Sequence, residues 1–146
     1  MILNGEKIKA LIILNMPRLT FTTTMSCIMQ SVLGLDFELM TTEGVYWEQA
    51  ITSGMETNKD VEYLLFVDYD SVFTKDDLIK LFALMQSDKT IDAIYPVQVA
   101  RHNNQVLCWH PDTDYSKQPV ADSKFGHFGL SIIRKSVFNN LPKPWV

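Results

Sequence analysis

Two carboxylates stand one residue apart in Asp68-Tyr69-Asp70, directly after the apolar run Tyr63-Leu64-Leu65-Phe66-Val67. Like charges held this close repel, so the arrangement is costly unless a proton or a cation sits between them. A divalent metal resolves the conflict. Hard oxygen ligands suit Mg2+ or Mn2+, which take one or two protein carboxylates and fill their other positions with phosphate oxygens and water. The chemistry to expect is therefore a metal-bridged diphosphate. Strand side chains alternate, which predicts Asp68 and Asp70 on one side and Tyr69 on the other. The plain structural alternative is that Asp68 finishes a strand and Asp70 opens a turn, since so short a motif also arises by chance.

The elements around the pair must hold it at an accessible place. An apolar run bounded by polar residues reads as a strand buried on both faces, the habit of a central strand in a parallel sheet. Open parallel sheets bind ligands just beyond the carboxyl ends of their strands, which is where the two acids fall. Downstream, Thr74-Lys75-Asp76-Asp77 resembles a capping box and opens a helix with Leu78, Leu81, Phe82 and Met85 on one face, ending near Ser87. Upstream, Lys9 to Asn15 is a strand that stops at Asn15-Met16-Pro17-Arg18. Thr20 to Leu33 carries Phe21, Met25, Ile28, Met29 and Val32 at helical spacing, with Gly34 as its stop. Phe37 to Met40 predicts a second strand, Thr41-Thr42-Glu43-Gly44 a loop, and Val45 to Asn58 a helix marked by Trp47, Ile51 and Met55. Strand and helix in alternation predict an α/β domain, a mostly parallel central sheet with helices on both faces.

Beyond the capped helix, Asp92 to Val99 predicts a fourth strand in which Pro96 signals a bulge or an edge. Residues 101 to 123 are irregular, with a short hairpin around Val106-Leu107-Cys108-Trp109. Phe125 to Ile133 returns to strand character, and Arg134 to Leu141 reads as a short helix before Pro142-Lys143-Pro144-Trp145-Val146. At 146 residues the chain is one domain by length. Its net charge of -4, with no basic patch, argues against nucleic acid as a partner. The apolar run Ala10 to Leu14 is too short for a signal peptide or a membrane span, so the cytoplasm is the expected location. Cys27 and Cys108 show no C-x-x-C spacing and read as reduced thiols.

Taken together, these features resemble the nucleotide-sugar glycosyltransferases of the GT-A fold, a Rossmann-like nucleotide-diphospho-sugar transferase fold, and in particular their large inverting family. The resemblance rests on the strand ending in Asn15-Met16-Pro17-Arg18, on the strand leading into Asp68-Tyr69-Asp70, on the capped helix, and on the segment from Gly129 to Phe138 ahead of Pro144-Trp145. It implies a metal-dependent transfer of a sugar from a nucleoside diphosphate, UDP being the commonest donor, to a glycan, protein or other acceptor. Asp68 and Asp70 would be the family's D-x-D motif, holding Mn2+ or Mg2+ and the diphosphate with Tyr69 between them. Asn15, Pro17 and Arg18 would border the base, Glu43 would reach the base or ribose, and Gly129 would leave room near donor or acceptor. In that family a catalytic base follows the Pro-Trp element, whereas this sequence stops at Val146. The resemblance therefore implies a single donor-binding domain over 1–146 that lacks the acceptor and base portion, either as a piece of a larger enzyme or as a short relative that finds its missing groups elsewhere.

Within the chain the candidate bases are Asp112, Asp114 and Asp122, for each of which a solvated loop acid is the competing reading. His127 is a candidate metal ligand, against the alternative of a satisfied structural histidine. His102 and His110 have less to recommend them, and Trp109 or Trp145 could stack on a ligand or simply pack. Two other function classes compete. One is a catalytically idle GT-A-like module for nucleotide binding or assembly, self-associating through exposed apolar area. The other is a nucleotidyltransferase, disfavoured because the first strand is not followed by a glycine-rich basic loop.

Overall fold

A five-stranded mixed sheet organises the chain. The computed structural model describes residues 1–16, 22–33, 35, 37–43, 47–57, 59–100, 102–103, 105–107, 117, 120–123 and 129–142. In chain order the elements are β1 (Ile2–Leu3), β2 (Glu6–Lys7), β3 (Ala10–Met16), α1 (Thr22–Val32), β4 (Glu38–Glu43), α2 (Trp47–Met55) and β5 (Tyr63–Asp68). There follow α3 (Lys75–Ser87), β6 (Ala93–Ile94), β7 (Gln98–Val99), β8 (Val106–Leu107), β9 (Leu130–Arg134) and a 3-10 helix over Lys135–Asn139.

The main sheet has the order β4-β3-β5-β9-β6. Strands β4, β3 and β5 are parallel, while β9 runs antiparallel to both β5 and β6. The expected mostly parallel sheet is thus mixed, with one reversed strand wedged beside the acidic one.

Alternation along the apolar strands divides their side chains between two cores. Tyr63, Leu65 and Val67 join Ile12 and Leu14 against α1 and α3, through Ile28, Leu78, Phe82 and Met85. Leu64 and Phe66 join Leu11 and Ile13 against α2, through Ile51 and Met55. Helices therefore cover both faces, and β5 is buried from Tyr63 to Val67 as a central strand should be. Gly54 lets α2 lie close to the sheet: a Cβ there would overlap Ile13 Cδ1 and stand 3.4 Å from Phe66 Cε1.

Several boundaries differ from expectation for physical reasons. Strand β4 runs on through Thr41, Thr42 and Glu43, which pair with Leu14, Asn15 and Met16 instead of forming a loop. β-Branched threonines suit that pairing. The single strand expected over Asp92 to Val99 breaks into β6 and β7 around Pro96, which has no amide hydrogen to give a ladder, and β6 is an edge strand. Strand β7 pairs instead with β8, and Cys108 and Trp109 of the hairpin expected around Val106 lie outside the described residues. The chain also opens with a hairpin: Asn4 (φ 52°) and Gly5 (φ 84°) make its two-residue turn, with Leu3 opposite Glu6. Asn-Gly is the dipeptide that such a left-handed turn favours.

The short helix expected from Arg134 to Leu141 forms over Lys135–Asn139, and Arg134 ends β9 and is the N-cap of that 3-10 helix. Its buried guanidinium donates to the carbonyls of Ile91 (2.8 Å), Met85 and Asp88, to Tyr63 Oη (3.0 Å) and to Glu62 Oε1 (3.4 Å). The end of α3 is thereby tied to the sheet.

Candidate functional site

Strands β3 and β5 end together. In the parallel register Asn15 lies beside Asp68 on one side and Thr42 on the other. Leu11 and Ile13 face α2 along β3, and Leu64 and Phe66 do so along β5, so alternation puts Asn15 and Asp68 on that same face. Thr42, two residues after Met40 on β4, joins them. A polar row Thr42, Asn15, Asp68 thus crowns an apolar row at the carboxyl ends of three parallel strands. Gly129 flanks it, its carbonyl accepting the Asp68 amide at 2.8 Å.

The acidic strand stops because its last residue captures the next amides. Tyr69 N–H donates to Asp68 Oδ1 at 2.8 Å, and Ser71 N–H donates to the Asp68 carbonyl at 3.1 Å. Ser71 Oγ also donates to the Gly129 carbonyl. Tyr69 and Asp70 therefore sit in a turn, and the strand alternation expected to align Asp70 with Asp68 ends at Asp68. Asp68 and Tyr69 are half-buried and Asp70 is exposed. The turn leads to Thr74, whose Oγ1 accepts Asp77 N–H at 3.2 Å while Asp77 Oδ2 accepts Thr74 N–H at 2.8 Å, the expected capping box. These Thr74 hydrogen bonds hold the Asp77 carboxyl below the usual aspartate range.

Asn15 is only 5 % exposed, and its Oδ1 has no hydrogen-bond partner among the described residues. A buried acceptor left in this state costs about 1–3 kcal/mol. Ser131, opposite Phe66 on the same face, has a buried Oγ in the same condition. Both lie on the face that carries Asp68.

Glu43 closes β4 at the same edge, its backbone paired with Met16. Asp122 is exposed in an irregular segment, and His102 is exposed as well. Pro17, Arg18, Asp112, Asp114, His127, Trp109, His110 and Trp145 lie outside the described residues. Sequence reasoning placed Thr42 in a loop and did not single out Ser131. The signal for Thr42 was its β-branched neighbourhood, and for Ser131 a lone hydroxyl inside an apolar strand.

Among the described residues no cluster of three or more His, Cys, Asp or Glu side chains is gathered as a metal site. The donor set at the acidic turn is hard oxygen: the Asp68 and Asp70 carboxylates. That fits a Mg2+ or Mn2+ shared with phosphate oxygens and water, and does not fit a cage built from protein alone. An open groove of about 480 Å3 lies beside the turn, between one side of α1 (Thr22, Thr23, Ser26, Cys27, Gln30) and Val72-Phe73.

Compared with known proteins, the chain matches no family model and no curated sequence. No described helix is long and apolar enough to cross a membrane.

Proposed function

We propose that this chain is the donor-binding domain of a metal-dependent glycosyltransferase of the GT-A type, taking a nucleoside diphosphate sugar, UDP-linked, as donor. The observation that carries the reading is the pairing of Asn15 with Asp68 at adjoining carboxyl ends of parallel strands, followed at once by the turn bearing Asp70. Crevices at that edge are where α/β sheets hold ligands.

In this reading Asp68 and Asp70 hold Mn2+ or Mg2+ against the diphosphate. The metal would offset the negative charge that grows on the leaving diphosphate as the sugar bond breaks. Asn15 Oδ1 offers a buried acceptor to a ring N–H of the base, with Pro17 and Arg18 next in the chain. Glu43, on the outer strand of the row, serves the base or ribose hydroxyls. Gly129 presents backbone alone beside Asp68, leaving room for the sugar. Asp112, Asp114 and Asp122 remain the candidate bases, and His127 a further metal ligand.

Calorimetry with UDP, with and without Mn2+, tests the reading. Binding should require the metal and vanish in an Asp68→Ala, Asp70→Ala double variant that still folds. Metal-dependent binding that persists unchanged in that variant removes the physical basis. Turnover of UDP-sugars by the wild-type chain separates a transferase from an idle binding module.

A further inference from the structure

We propose that Cys27 and Ser31 are positioning residues that hold the acidic turn through the backbone of Phe73, an inference that rests on the reading of that turn as the metal carrier. The segment from Asp68 to Thr74 is anchored at both ends, by Gly129 at one and by the capping box at the other. Between the anchors Val72 is 62 % exposed and can fasten nothing by packing. Phe73 is the buried residue of this stretch, and its peptide groups find no partner within the turn. Helix α1 supplies the partners. Cys27 Sγ accepts the Phe73 N–H, and the Cys27 thiol and Ser31 Oγ (3.2 Å) both donate toward the Phe73 carbonyl.

Cys27 and Ser31 are four residues apart, so one face of α1 presents both to a single residue. The two side chains are buried, and so is Phe73, which makes these bonds expensive to lose: each orphaned backbone group would have to be left dry. Phe73 lies three residues after Asp70. A slip of its backbone is passed directly to the carboxylate, and displacements near 1 Å at such sites cost about a hundred-fold in function. Cys27 also lies in the groove beside the turn, so α1 and the acidic turn form its two walls.

The competing account is that Cys27 is a small apolar core filler. Cys27→Val and Cys27→Ser separate the two, because valine keeps the packing and loses the hydrogen bonds, whereas serine keeps the bonds and loses packing. Amide exchange at Phe73, followed by NMR, and Mn2+ titration are the readouts. For a positioning role Cys27→Val speeds exchange of the Phe73 amide about ten-fold and weakens Mn2+ binding about ten-fold, the scale of one hydrogen bond, and Cys27→Ser stays near wild type on both. The reverse order, valine like wild type and serine impaired, overturns the proposal. Should Cys27→Val fail to fold, Ser31→Ala carries the test: Mn2+ binding about three-fold weaker with the fold intact is expected, and unchanged binding overturns it. Faster exchange at Phe73 with unaltered Mn2+ affinity also overturns it. If the wild-type chain binds no Mn2+, the sugar-transfer reading fails and the positioning role falls with it, while the exchange data still report whether α1 grips the turn.

Discussion

In the proposed reading, Asn15 trades stability for a binding site. Its buried oxygen lacks a partner among the described residues, and an apolar side chain of similar shape would remove that penalty. Asn15→Leu is expected to stabilise the ligand-free protein by about 1 kcal/mol while abolishing nucleotide binding, measured by thermal melting and calorimetry on the same sample. A lower Tm would show that the amide is satisfied and structural. Arg134 illustrates the opposite case. Among the described residues its contacts are with the fold, including its guanidinium 5.3 Å above the Tyr63 ring, and none is with the proposed site. Arg134→Met is expected to destabilise the chain by about 3 kcal/mol by orphaning the carbonyls at the end of α3, read by urea unfolding. Arg134→Lys should not rescue it, because lysine lacks the planar fork that reaches several acceptors at once. The residue types at both positions were visible in the sequence. Which one lies at the proposed site depended on what surrounded each side chain.

Among the elements, α3 is the one that local chemistry specifies most completely. Thr74 and Asp77 satisfy each other's amides, and the apolar face runs from Leu78 to Met85 as its spacing requires. Because the folded Asp77 carboxyl is held below its unfolded value by Thr74, its contribution is present above about pH 4 and is lost as pH falls through the lower folded value. Asp77→Asn is expected to narrow the difference in unfolding free energy between pH 7 and pH 3, and an undiminished difference would count against this box as an acid-sensitive element. Helix α2 depends instead on a close approach. Gly54→Ala gains about 1 kcal/mol of helix propensity but costs about 1–3 kcal/mol in overpacking against Ile13, so a net loss is expected. Adding Ile13→Val should recover most of that loss in a double-mutant cycle, because it removes the methyl that the new Cβ meets. The end of β4 was legible only in part: its threonines favour extended backbone, yet the strand continued to Glu43 because β3 lay alongside to pair with it.

At the scale of the whole molecule, the proposed site is assembled from strand ends far apart in the chain, so ligand should stabilise the entire fold. A hundred-fold excess of UDP over its Kd, with Mn2+, is expected to add about 2.7 kcal/mol, visible as a raised Tm. UDP alone should leave Tm nearly unchanged, and an equal rise with UDP in the absence of metal would refute the shared-metal arrangement. The sheet itself is mixed because β9 inserts antiparallel between β5 and β6. Nothing in the composition of Leu130-Ser131-Ile132-Ile133 announces a direction, for an apolar run is equally suited to either partner geometry.

The sequence by itself determined which segments are apolar on two faces and which on one, and hence that strands and helices alternate around a buried acidic strand. It also determined the capping box, since both of its partners lie within four residues. Only the tertiary structure decided that Asn15 and Asp68 stand side by side and that Cys27 and Ser31 grip Phe73. The physical reason is range: periodicity and capping are set by neighbours along the chain, whereas register and hydrogen bonds between residues more than forty positions apart are chosen by packing the whole sheet at once.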